Sequence, residues 1–209
     1  MRPFNIPKEE IRLAAKAGFF TKELWTKYYC NHHRSWAFKR WRDFIQREIF
    51  IPYGKSSHNS VVRLNRESKI VRSIVGSDIC SPPTPYLIRH DSMVINIILG
   101  LAKKGKVDKY FFEPEIKQAP EDFGIRWEKK YPDAIVYSGE KCYAIEVELS
   151  RKAPRRYDKI LNFYAFSKQF DEVHYYSNSP RIYNSLCASV GRTSYPMDEK
   201  PIVYTAIVA

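Results

Sequence analysis

A chain of 209 residues that is 44% hydrophobic and 15% aromatic carries enough apolar material for one large core or two modest ones, which excludes a disordered polymer. No run of about 18 apolar residues exists to span a bilayer, and residues 1–6 are too short and polar for a secretory leader, so a cytoplasmic protein with no membrane partner is expected. The 35 Lys and Arg outnumber 23 Asp and Glu for a formal net charge of +12, and the excess is uneven: residues 1–75 hold 16 basic and 6 acidic side chains, net +10, leaving 19 against 17, net +2, for residues 76–209.

The basic third is punctuated like a helix-turn-helix. Residues 8–17 read as a short helix stopped by Gly18, and Thr21 caps a second helix through Tyr29, with Leu24, Trp25 and Tyr28 inside. Residues 35–48 form a third. On it Ala37, Trp41, Phe44, Ile45 and Glu48 make one stripe, while Ser35, Lys39, Arg42 and Gln46 line the opposite one, with Arg40 and Arg47 nearby. Long donors along an exposed helix face can reach base edges in a major groove, and Arg34, Lys27 and Lys55 suit phosphates. Residues 49–53 and 60–64 flank a polar tip, the layout of a wing, and residues 67–75 close the unit as a helix. Residues 1–75 are therefore expected to be a winged helix-turn-helix domain that binds double-stranded DNA through Arg34, Ser35, Lys39, Arg40, Arg42, Gln46 and Lys55. A basic helical bundle that docks on protein is the alternative. Residues 76–85, which contain SPPTP, read as a linker because proline bars both helix and sheet ladders.

Residues 86–209 alternate helix and strand. Met93, Val94, Ile97, Ile98 and Leu101 make the apolar stripe of a helix capped at Asp91 or Ser92 and ended by Lys103-Lys104-Gly105. A strand over 110–116 follows, on which Glu113 and Glu115 share a face. Further along, the spacing predicts a helix over 155–170, a strand over 172–177, a helix over 181–190 and a strand over 201–208. The order implies an α+β or α/β sheet sandwiched by helices.

Between these elements lies the most informative stretch, YPDAIVYSGEKCYAIEVELSRK over 131–152. Two β-rich runs flank the tight-turn signal Ser138-Gly139-Glu140-Lys141. A two-residue loop pairs residues whose numbers sum to 279, which sets Asp133 opposite Glu146 with Cβ atoms about 5 Å apart. Alternation puts Glu148 on the face of Glu146, and Ala134, Val136, Tyr143, Ile145, Val147 and Leu149 on the other. One face is expected to pack and the other to carry acid. Carboxylates facing one another repel, and a hard cation such as Mg²⁺ or Mn²⁺ held by Asp133 and Glu146 would offset that repulsion.

These residues resemble the PD-(D/E)xK nuclease superfamily: Pro132-Asp133, a hairpin, then Glu146-Val147-Glu148 where the family usually has Glu-x-Lys. The resemblance implies a catalytic set of Asp133, Glu146, Glu148 and Lys152, with His90 and Glu115 as auxiliary residues; Lys141 is a second source of the missing cation. Joined to the winged helix, the chain is similar to the replication-relaxation family of mobile-element proteins. That likeness implies a DNA-processing protein of a bacterial or phage-infected cell, acting as a homodimer or with a mobile-element partner. Three readings stay open: a metal-dependent DNA endonuclease or nickase, a catalytically inactive DNA-binding accessory factor, and an RNA-binding or protein-docking adaptor. Cys30, Cys80, Cys142 and Cys187 form no CxxC pair, so reduced thiols are expected, and Cys30-Asn31-His32-His33 lacks the second ligand pair that zinc needs.

Overall fold

The computed structural model describes Ile6 and residues 8–30, 34–54, 60–125, 130–167, 169–192 and 202–207, and of Arg34, Phe166 and residues 202–207 the backbone alone. Lys55, Lys168 and Asn31-His32-His33 lie outside the described residues, as does the side chain of Arg34. The protein is mixed α/β, with eight α-helices and two sheets among the described residues. It divides into two compact units, residues 1–96 and 97–209.

The first unit begins with α1 (Lys8–Ala17), which Gly18 ends at a φ of +79°. A glycine is required there twice over, because that backbone conformation disfavours a side chain and a Cβ would fall against the Ser81 carbonyl. A short strand that the sequence does not announce, β1 (Phe20–Thr21), leads into α2 (Lys22–Tyr29), whose cap is Thr21: its hydroxyl accepts from the Leu24 N–H at 3.2 Å. Next come α3 (Arg34–Gln46), β2 (Phe50–Pro52), β3 (Val61–Leu64) and α4 (Lys69–Val75). The three strands pair antiparallel in the order β1-β3-β2. Ala37, Trp41 and Phe44 are buried, as the apolar stripe of α3 requires, and the Trp41 and Phe44 rings meet Phe20, Trp25 and Phe50 in an aromatic core; the Trp25 and Phe44 centroids lie 5.3 Å apart, edge to face. Truncating such a ring costs about 3–5 kcal/mol.

The proline-rich stretch has neither helix nor strand before its closing turn, yet residues 79–83 lie against the first unit. The Cys80 N–H donates to the Ala15 carbonyl at 2.8 Å, Arg66 to Ile79 O at 2.9 Å, and the Tyr53 hydroxyl to Pro83 O at 2.7 Å. Helix α5 (Ile88–Lys103) starts before the expected cap, so His90 and Asp91 stand in its first turn, with Nδ1 of His90 2.8 Å from Oδ1 of Asp91. Its residues up to Asn96 belong to the first unit, where the Tyr28 hydroxyl donates to the Asn96 carbonyl at 2.7 Å and Lys27 to Asn96 Oδ1 at 2.8 Å.

In the second unit the strands β4 (Lys109–Phe112), β5 (Ala134–Ser138), β6 (Lys141–Glu148), β7 (Glu172–Ser177) and β8 (Ile202–Ile207) pair in that order. The first three are antiparallel and the last three parallel. Helix α6 (Glu113–Gln118) follows β4, α7 (Pro154–Phe166) links β6 to β7, and α8 (Pro180–Arg192) links β7 to β8. The expected strand over 110–116 is thus corrected to a strand that stops at Phe112 and a helix that starts at Glu113, because Pro114 fits the first turn of a helix and cannot donate to a ladder. Ile135, Ala144, Val173 and Tyr175 on one sheet face pack on Tyr157, Leu161 and Tyr164 of α7, Leu186 of α8 and Ile116 of α6. Ala134, Val136, Ile145 and Val147 on the other face are buried as well, so the central hairpin is covered on both sides.

Candidate active site

The hairpin has the register its turn dictates. Ala134 pairs with Ile145 and Ser138 with Lys141 around Gly139, which sits at a φ of +60°. One step beyond the last pair, Asp133 turns its carboxylate onto the neighbouring strand, where Oδ2 accepts from the Val147 N–H at 2.7 Å. Asp133 is thereby fixed beside Glu146.

The acid face is not a solvent face, contrary to the one-sided pattern expected from the sequence. Glu146 is 7% exposed and Glu148 6%, because they share their sheet face with Ala144 and Ile135, and α7 packs on it. Burial makes each acid need a partner. Lys130, just ahead of the hairpin, donates to Glu146 Oε1 at 2.6 Å, and the buried Tyr164 hydroxyl donates to the same oxygen. Lys152 forms an ion pair with Glu148 Oε2, while Ser150 donates to Glu148 Oε1 from its N–H at 3.3 Å and its hydroxyl at 3.4 Å. The backbone N–H of Lys152 donates to the Tyr157 hydroxyl at 3.2 Å, which anchors the turn between β6 and α7.

The electrostatics tie these groups into one cluster. Burial pushes the Glu146 carboxyl above the ordinary carboxylate range; the Lys130 ammonium opposes this and the Asp133 charge adds to it. Burial likewise lowers Lys152, which also feels the attraction of Glu146 and Asp133 and the repulsion of Arg156 and Lys130. The Tyr164 hydroxyl is held well above its usual range by burial and by the carboxylate it serves. Asp133, Glu146, Glu148 and Lys152 therefore lie together in one cluster, and Lys130 and Tyr164 join them unannounced. Lys130 carries no sequence signal beyond standing three residues before Asp133. Tyr164 reads as one more apolar residue of a helical stripe.

The remaining candidates lie elsewhere. Lys141 pairs with Glu172 at 3.3 Å, at the far end of β6, and His174 contacts the same glutamate at 2.8 Å. Glu115 caps its own helix by accepting from the Phe112 N–H at 3.0 Å, and Glu113 pairs with Lys117 at 2.8 Å; helical spacing takes these two acids off a common face. His90 sits in the first unit beside Asp91.

Asp133 and Glu146 offer hard oxygen donors side by side, a set that fits Mg²⁺ or Mn²⁺ held by one or two carboxylates and otherwise by water and substrate. Among the described residues no group of three or more His, Cys, Asp or Glu is arranged to hold a metal ion. None of the helices among them is long and apolar enough to cross a membrane.

No protein-family model and no curated protein matches the chain. Among solved structures it is similar to the crystal structure of protein VC1899 from Vibrio cholerae, with 11% identity and a TM-score of 0.33 over 97% of this chain and 54% of that one. The chain spans about half the length of that protein.

Proposed function

We propose that the protein is a metal-dependent DNA endonuclease or nickase, with a winged helix-turn-helix in residues 1–75 that locates the site and a PD-(D/E)xK-like core that cleaves. The observation that carries this reading is the position of Lys152. A half-buried lysine with a lowered pKa stands beside Glu148 and within electrostatic reach of Asp133 and Glu146, so a lysine accompanies the acids although the sequence has Glu148 where the motif has Lys. A winged helix is supported by the order helix, strand, two helices and two strands, with the three strands in one antiparallel sheet.

Asp133 and Glu146 would hold the cation, which when bound supplies charge neutralisation at the phosphate and an activated water. Lys130 and Tyr164 hold the Glu146 carboxylate in one orientation. Lys152, paired with Glu148, would move a proton at its Nζ, and burial, which lowers its pKa, makes that proton easier to release. The second reading, a DNA-binding accessory factor without catalysis, is favoured by the closed network around Glu146, in which one oxygen already accepts from both Lys130 and Tyr164.

Purified protein incubated with supercoiled plasmid decides between them. Nicked or linear product is expected with Mg²⁺ or Mn²⁺ and not with chelator, and Asp133→Ala or Glu146→Gln should abolish it while leaving DNA affinity unchanged or raised, since less negative charge faces the phosphates. Binding without cleavage under either metal leaves the accessory factor.

A further inference from the structure

We propose that Phe38 is a specificity residue of the DNA-binding face, placed to contact the methyl group of a thymine in the major groove, with Lys22 and Arg42 holding the neighbouring phosphate. The inference rests on the reading of α3 as the helix that enters duplex DNA.

Large apolar side chains on a surface call for a reason when they cluster beside charge. In α3 two of them are half exposed, Trp36 at 50% and Phe38 at 49%. Steps of 100° along the helix put the exposed pole at Ser35, Lys39, Arg42 and Gln46, opposite buried Ala37, Trp41 and Phe44. Phe38 and Trp36 then fall on opposite flanks of that polar ridge. Trp36 has a structural reason, since its ring stacks on buried Trp25 with centroids 6.1 Å apart. Phe38 instead lies under the ammonium of Lys22, whose Nζ is 3.3 Å from the ring centroid. Burial lowers the Lys22 pKa and the nearby positive charge of Arg42 lowers it further, so two cations and one exposed ring share this flank.

Such a flank matches one nucleotide. A recognition helix presents its N-terminal residues to base edges, and Phe38 is in that half of α3. In the major groove the only apolar group on a base edge is the thymine C5-methyl, which projects at the side of the groove nearest its own strand and suits a phenyl contact. The adjacent phosphate is then the natural partner of the Lys22 ammonium and the Arg42 guanidinium, and the net +10 of residues 1–75 favours a polyanion over an apolar protein surface.

Uracil in place of thymine removes the methyl and nothing else. A duplex enriched from a randomised pool by full-length wild-type protein is synthesised with thymine and again with uracil, and binding to both is measured by fluorescence anisotropy in chelator. Wild type should bind the thymine duplex about fourfold more tightly, the worth of one buried methyl. Phe38→Ala should lower affinity for the thymine duplex and erase the difference, while Phe38→Leu, still apolar, keeps part of it. Equal binding of both duplexes by wild type, or a preference that survives in Phe38→Ala, overturns the inference and leaves DNA binding intact. A single-stranded oligo(dT) that wild type prefers and Phe38→Ala does not also overturns it, because the ring then stacks on an unpaired base. Failure to bind any of these probes removes the DNA-binding reading itself.

Discussion

Glu146 shows what a single buried carboxylate demands. Burial raises its pKa and Asp133 raises it further, against the pull of Lys130, so folding favours the protonated form. The stability this contributes is present below the pKa of the unfolded chain and is lost as pH rises through the higher value of the folded state. A divalent cation held by the same carboxylate would reverse the preference, because it would bind the ionised form. In chelator the wild type should therefore lose melting temperature relative to Glu146→Gln as pH rises, and added Mg²⁺ should recover that loss where the carboxyl is ionised but not in acid. Glu146→Gln is the reference because it has no proton to lose at that position, and Mg²⁺ should leave it largely unchanged.

At the scale of elements, α3 is where the proposed DNA recognition is tested. Lys39 and Arg42 are exposed on its polar ridge, and the double variant Lys39→Ala/Arg42→Ala should weaken binding to a selected duplex by about 1–3 kcal/mol for a base that Lys39 no longer reaches, with a shallower salt dependence for the phosphate that Arg42 no longer holds, as read by titration. This ridge was legible in the sequence because helical periodicity alone separates it from Ala37, Trp41 and Phe44. The hairpin was legible for a similar reason: the tight turn at Gly139-Glu140 and strand alternation fix the pairing of Ala134 with Ile145 without further information. What alternation could not give was the environment of the acid face, since burial of Glu146 depends on Tyr157, Leu161 and Tyr164 arriving from α7. Lys130 was hidden for the same reason, its contact crossing 16 residues of chain. The switch from strand to helix at Glu113 did have a local signal in Pro114, which the alternation of acids at 113 and 115 outweighed.

For the whole molecule, the sequence divides at a proline-rich linker, whereas the two compact units meet in number at Asn96 and Ile97, inside α5. The amino-terminal unit uses chain beyond residue 75: Tyr28 and Lys27 both bond to Asn96, and Tyr53 bonds to Pro83. A fragment that stops at Ser81 should accordingly unfold at lower urea than one that runs to Gly105, even though both contain all of residues 1–75, and equal midpoints would show these bonds to be inconsequential. The close fit of Gly18 to Ser81 carries a different kind of consequence. A loose tether tolerates insertion at small entropic expense, each doubling of its length costing only about 0.6 kcal/mol. Residues 79–83 are a clasp instead, seated on Ala15, Gly18, Tyr53 and Arg66 at successive positions. A single residue inserted between Ser81 and Pro83 would leave Cys80 in place and carry Pro83 out of reach of Tyr53, so the length of this proline run is fixed by the surface it crosses.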